Sequence, residues 1–152
     1  MIDRSFIGAT SPPREVDVEK GQLKFFAKAT GATDPIYFDD EAARAAGHPT
    51  IPAPPTFVFS LMLAVPPKGV DIFVDLGVSK KNVLHGEQAF SYHRGIYAGD
   101  CMTLVSSIPD IYDKKGGALE FIIQDTTATN QLGELCVTMR SVTVVRNGGA
   151  ER

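Results

Sequence analysis

PTFVFSLMLAV, residues 55–65, is apolar at nearly every position and opens with a proline. Proline suits the first turn of a helix, where its missing N–H costs little. A helix that is apolar all round packs in a core rather than on a surface. The stretch therefore predicts a central helix over Phe57–Leu63, buried on every side. Phe57–Val65, broken by Ser60 and stopped by Pro66-Pro67, falls far short of the ~20 apolar residues a membrane span needs.

Downstream of that helix the period changes to two. Phe90 and Tyr92 alternate with Ser91 and His93, and Met102, Leu104 and Ser106 with Thr103, Val105 and Ser107. Leu119, Phe121 and Ile123 alternate with Glu120 and Gln124, and Leu135, Val137 and Met139 with Thr138 and Arg140. Such alternation predicts strands with one buried face. Gly99-Asp100, Asp113–Gly117 and Asn130–Gly133 carry turn chemistry, and the last two are short enough for hairpins. Upstream, Asp17 is placed to cap a helix from Glu19 to Thr30 with Gly31 as its stop. Leu23, Phe26, Ala27 and Thr30 share one face of it. Asp39 or Asp40 caps a short helix, Glu41–Ala46, ended by Gly47, and Asp34-Pro35 reads as a turn. Residues 1–16 read as an arm or edge strand broken by Pro12-Pro13, and the tail NGGAER as frayed. One apolar helix followed by an antiparallel meander predicts an α+β fold, a sheet wrapped around that helix, as one domain over residues 1–152.

Composition narrows the function classes. Apolar residues make up 43% of the 152 and charged residues 22%, as in an ordinary globular domain. A net charge of -3 gives no basic footprint for nucleic acid. The opening MIDRSFIGATSPPR has no apolar run of the secretory kind, so the expectation is a cytoplasmic protein with no membrane partner. Cys101 and Cys136 lack any C-x-x-C spacing and read as small, partly buried thiols. His48, His85 and His93 form no zinc pattern. No metal or cofactor is expected.

Three segments carry a resemblance. AKATGATDPIYFDDEAARAAG, residues 27–47, resembles the hydratase motif of the MaoC family of (R)-specific enoyl-thioester hydratases and dehydratases. IPAPPTFVFSL, residues 51–61, resembles the start of that family's central helix. HGEQAFSYHRGIYAGDCMTL, residues 85–104, resembles the strand and Gly-Asp turn that follow. Order and spacing match over roughly residues 5–146. The resemblance implies a hot-dog fold, a functional unit of two paired hot dogs, and an acyl-CoA or acyl-ACP thioester ligand with no cofactor.

Hydration of an enoyl thioester requires an acid–base pair to handle water and a donor for the thioester oxygen. In active members of the family an Asp and a His of the motif supply the first, and a Gly N–H at the helix start the second. Here those positions carry Ala32, Tyr37 and Pro55. Alanine has no proton to exchange. A phenol, with its usual pKa of ~10, is a poor base near neutrality. Proline has no N–H. Fatty-acid dehydratases of that family pair a catalytic hot dog with a non-catalytic one whose helix starts Ala-Pro-x-Thr-Phe, as Ala53–Phe57 does here. The resemblance thus implies a non-catalytic, acyl-binding subunit of a hydratase used in lipid, fatty-acid or steroid side-chain metabolism. Its second hot-dog subunit is a catalytic partner or a copy of itself.

Other readings stay open at this point. An active hydro-lyase could use Tyr37, His85 or Glu87 instead; His85 and Glu87, two apart on a predicted strand, are expected on one face. A homodimeric thioesterase or acyl-binding protein is a further alternative, although Ile51–Val65 holds none of the carboxylates that thioesterases of this fold place near the central helix. Pro55, Thr56, Phe57, Phe59 and Arg94 are the expected substrate-binding residues, Arg94 toward a phosphate or an acidic carrier.

Overall fold

Turn chemistry organises the second half of the chain. Lys115, Gly116 and Gly117 all take positive φ and close one hairpin. Asn130, whose side-chain oxygen accepts from the N–H groups of Leu132 and Glu134, closes the next. The computed structural model describes residues 1–65 and 73–147. In chain order it contains β1 (Arg14–Asp17), α1 (Lys20–Ala29), α2 (Asp40–Ala45), α3 (Phe57–Ala64), β2 (Val83–Tyr92), β3 (Cys101–Lys114), β4 (Leu119–Thr129) and β5 (Leu135–Arg146). The strands form one antiparallel sheet in the order β1-β3-β4-β5-β2. With α3 against the sheet, this is the expected α+β hot dog.

Two apolar clusters cover the sheet's inner face. Phe57, Val58 and Leu61 of α3 meet Met102, Leu104, Ala128, Val137 and Met139, with Val18 and Leu23 closing the flank. Ile2, Leu76 and Val78 cover Ile108, Ile111, Ile122 and Val145 at the other end. Ser106 faces Thr126 across β3 and β4, and their buried hydroxyls share a hydrogen bond of 2.8 Å. Each satisfies the other, which a buried polar pair needs. Arg14 is only 7% exposed and gives one guanidinium N–H to the Val65 carbonyl beyond α3, at 3.3 Å. A cation there opposes the negative end of the helix dipole.

Four expectations need correction. The central helix is not buried on every side: Phe57, Val58 and Leu61 are, but Leu63 is 75% exposed and Ala64 is also exposed. Its apolar surface exceeds what one sheet covers. Asp17 does not cap α1; it ends β1, and Glu19 stands at the helix start with no side-chain cap bond. The buried face of β4 is the opposite of the one expected. Glu120, Ile122, Thr126 and Ala128 point inward, while Leu119, Phe121 and Ile123 lie half-buried on the outer face. Both faces of β4 carry apolar residues, so alternation alone could not choose between them. The inward Glu120 carboxylate is satisfied by the Ile2 N–H at 2.6 Å and by the Asn147 side chain.

The fourth correction concerns β2. Register shifts between His85 and Glu87, which face Thr143 and Val142 of β5. Consecutive residues of a strand point to opposite faces, so the bulge at Gly86 places His85 and Glu87 on opposite faces. Glycine is required there, because a Cβ at 86 would lie 2.8 Å from Val144 Cγ2 and 3.1 Å from the Val142 carbonyl.

Candidate functional site

Loop pairing builds the site. Residues 51–53 run beside 96–98: the Ala53 N–H donates to Ile96 O at 2.8 Å, and the Ala98 N–H to Ile51 O at 3.0 Å. Asp100 holds the turn by accepting from the Tyr97 N–H at 2.7 Å. Asp34 accepts from the Ile36 N–H at 3.1 Å and winds Pro35–Tyr37 into one 3-10 turn, which sets Tyr37. Asp39 caps α2 through the Ala42 N–H at 2.8 Å. Asp40 ties the layers together, accepting from Lys20 and from Thr50, each at 2.7 Å. Those two hydrogen bonds, Lys20's first, hold its carboxyl down at about 2.

The result is a cavity of about 260 Å³ beside the start of α3, lined by Ile36, Tyr37, His48, Pro55, Tyr92 and Tyr97 among others. His48 Nδ1 lies 3.4 Å from the Tyr97 hydroxyl, with the rings 5.9 Å apart. Gly95 makes that arrangement possible: a Cβ there would meet the Tyr97 hydroxyl at 2.6 Å.

At the helix start, no main-chain N–H from 54 to 57 is free. Pro54 and Pro55 have none, and Phe57 N–H goes to Pro54 O at 3.1 Å. Thr56 N–H goes to the Tyr92 hydroxyl at 2.9 Å. Thr56 itself takes φ 69°, the left-handed region, unfavourable for a β-branched residue. Of the two donors that the prolines leave, Pro54 O thus closes Phe57 and the edge strand β2 closes Thr56.

Of the residues expected from the sequence, Tyr37 and Pro55 meet at this cavity. Thr56 stands at its rim by way of Tyr92. Phe57 is in the core, edge-on to Phe26 at 5.4 Å, and Phe59 is half-buried. Ala32 is half-buried behind α1, its N–H on Ala27 O at 2.9 Å, and does not line the cavity. His85 and Glu87 are exposed on β2, away from the cavity lining. Arg94 pairs with Glu134 at 3.4 Å. Sequence reasoning missed His48, Tyr92 and Tyr97 as a group, because only the pairing of 51–53 with 96–98 brings them together.

A second, apolar groove of about 570 Å³ runs between α1 and α3, lined by Phe25, Phe26, Phe57, Ser60, Leu63 and Ala64 among others. Among the described residues no cluster of His, Cys, Asp or Glu could hold a metal ion. No helix among them is long and apolar enough to cross a membrane.

Comparison with known proteins agrees with this architecture. A UPF0336 protein of Streptomyces griseus subsp. griseus is 40% identical over 146 residues, covering 95% of each chain. A chain of the C-terminally truncated HadBC (3R-hydroxyacyl-ACP dehydratase) complex of Mycobacterium tuberculosis superposes with a TM-score of 0.77 at 27% identity. That match covers 91% of this chain and 96% of the other. A chain of the ChsH1-ChsH2 complex of the same organism gives 0.75 at 26% identity, covering 94% and 92%. The sequence profile of a family described as "FAS1-like, dehydratase domain region" matches residues 5–139. The chain, a MaoC-like hot dog by fold and by motif order, belongs to that FAS1-like dehydratase-region family.

Proposed function

We propose that residues 1–152 form one hot-dog domain that serves as the non-catalytic subunit of an (R)-specific enoyl-thioester hydratase. One observation carries the reading: where the family places its chemistry, this chain has a closed helix start. Pro55 offers no N–H, and the Thr56 N–H is held by Tyr92 at 2.9 Å. Tyr37, which by resemblance takes the place of the motif's histidine, lines the cavity beside that helix start. With no main-chain donor free between residues 54 and 57 and a phenol in place of the motif's histidine, the chain lacks the groups by which active members of the family hydrate an enoyl thioester.

The partner in this reading is a catalytic MaoC-type hot dog. Strand β2 is an edge of ten residues with most side chains exposed, an unpaired template of the kind proteins cover. HadBC and ChsH1-ChsH2, both complexes by name, support pairing of unlike chains. The ligand is an acyl-CoA or acyl-ACP thioester whose acyl chain runs along the groove between α1 and α3, past Phe57. The work is cytoplasmic and belongs to fatty-acid or related lipid metabolism.

Two measurements test this. The purified chain should turn over crotonyl-CoA far below the ~10 s⁻¹ of a median enzyme. Co-expressed with a MaoC-type hydratase from the same genome, it should co-elute from a sizing column and raise activity on long or bulky enoyl thioesters above that of the hydratase alone. Separate elution with unchanged activity overturns the heteromer.

A further inference from the structure

Three of the protein's four tyrosines, Tyr37, Tyr92 and Tyr97, line the cavity beside α3 together with His48. The remaining walls are apolar or glycine, and no Asp, Glu, Lys or Arg takes part. The polar groups are under-used. Among the described residues, the Tyr37 hydroxyl and His48 Nε2 have no hydrogen-bond partner, and the Tyr97 contact is a long 3.4 Å. Tyr92 accepts from Thr56 and keeps its own hydroxyl proton to give. Tyr37, His48 and Tyr97 are half-buried and Tyr92 is 54% exposed, so these groups are open to a ligand that replaces water on them.

Size narrows the ligand. An apolar cavity of ~150 Å³ takes a benzene ring, and drug-sized ligands fill roughly 300–1,000 Å³. A volume of about 260 Å³ lies between, enough for one ring and a short substituent. Charge narrows it further: an ion in this lining loses water and meets no counter-charge, which is costly.

We propose that the cavity binds a small neutral molecule, a single planar ring bearing an amide or carbonyl oxygen that accepts from the Tyr37 and Tyr97 hydroxyls. All of its walls come from one chain, with Tyr92 at the end of the edge strand β2, so the isolated chain is the one to titrate.

Benzamide is the probe, titrated into the full-length ¹⁵N-labelled chain and followed by amide chemical shifts. A ligand of that size binds with a Kd on the order of 1 mM. Saturable shifts are expected at Tyr37, His48, Ile96 and Tyr97. Benzoate, the same shape with a charge, should bind at least about tenfold more weakly. Tyr37→Phe and Tyr97→Phe should each weaken benzamide by about 3–10-fold, while Phe25→Ala, in the α1/α3 groove, should leave it unchanged. Equal affinity for benzoate, no saturable shift at those amides, or saturation centred on Phe25 and Leu63 overturns the proposal.

Discussion

Thr56 joins two opposing demands at one residue. Its N–H is the donor that Tyr92 satisfies, and its φ of 69° is a conformation β-branched residues avoid. A non-glycine residue in the left-handed region costs ~1–2 kcal/mol, and part of that returns through glycine's freer unfolded chain. Thr56→Gly is therefore expected to stabilise the protein by about 0.5–1 kcal/mol, read as a higher urea midpoint. Tyr92→Phe leaves the Thr56 N–H without its acceptor and should destabilise by ~0.5–1.5 kcal/mol in the same assay. Asp40 sets an acid limit. Its carboxyl, held at about 2 by Lys20 and Thr50 rather than at the ordinary 3.8, favours the folded state above the ordinary value. That contribution is lost as pH falls from 3.8 toward about 2. Asp125, lowered by its bond to Arg140, titrates in the same direction. Asp40→Asn should flatten the decline of the thermal midpoint over that window, though Asp125 leaves some slope. An unchanged profile would show that the Lys20 contact does not persist in solution.

Among the elements, those that depend on near neighbours in sequence were readable and those that depend on distant ones were not. The hairpins joining β3, β4 and β5 announce themselves through Lys115–Gly117 and Asn130–Gly133, and α1 through its spaced apolar face. The inward face of β4 was misjudged because Ile122 and Ile123 are equally apolar. What decides between them is Glu120, whose partner Ile2 lies 118 residues away. Glu120→Ala should cost about 1–3 kcal/mol, since the Ile2 N–H and the Asn147 amide lose their acceptor inside the second cluster. Faster exchange of the Ile2 amide would locate the damage. The pairing of His85 with Glu87 failed for a similar reason: a bulge is invisible in a pattern of period two. Gly86→Ala, whose new Cβ meets Val144 at 2.8 Å, should lower stability by ~1–3 kcal/mol. Amide exchange along β2 should rise with it.

Seen whole, the molecule has apolar surface left over. Leu63 and Phe25 are each 75% exposed, and Leu84 on β2 is 47% exposed. The sequence read α3 as buried on all sides, and that reading was right about its chemistry and wrong about what one chain supplies. The cavity was illegible for another reason: Tyr37, His48, Tyr92 and Tyr97 spread over sixty residues with no local pattern. With no partner present, the chain is expected to pair with its own copy along β2, as isologous contacts allow. Leu84→Lys, which places a charge on that edge, should shift the sedimentation profile toward monomer. The strand order also has a consequence for synthesis on the ribosome. Helix α3 is complete at Ala64, yet the strands it packs on end at Arg146, and β2 waits for β5, the last strand made. At ~5–20 residues per second, translation leaves the nascent apolar helix uncovered for roughly 4–16 s. For that interval the growing chain is a client for chaperones, and its closure into a folded unit waits until β5 has been made.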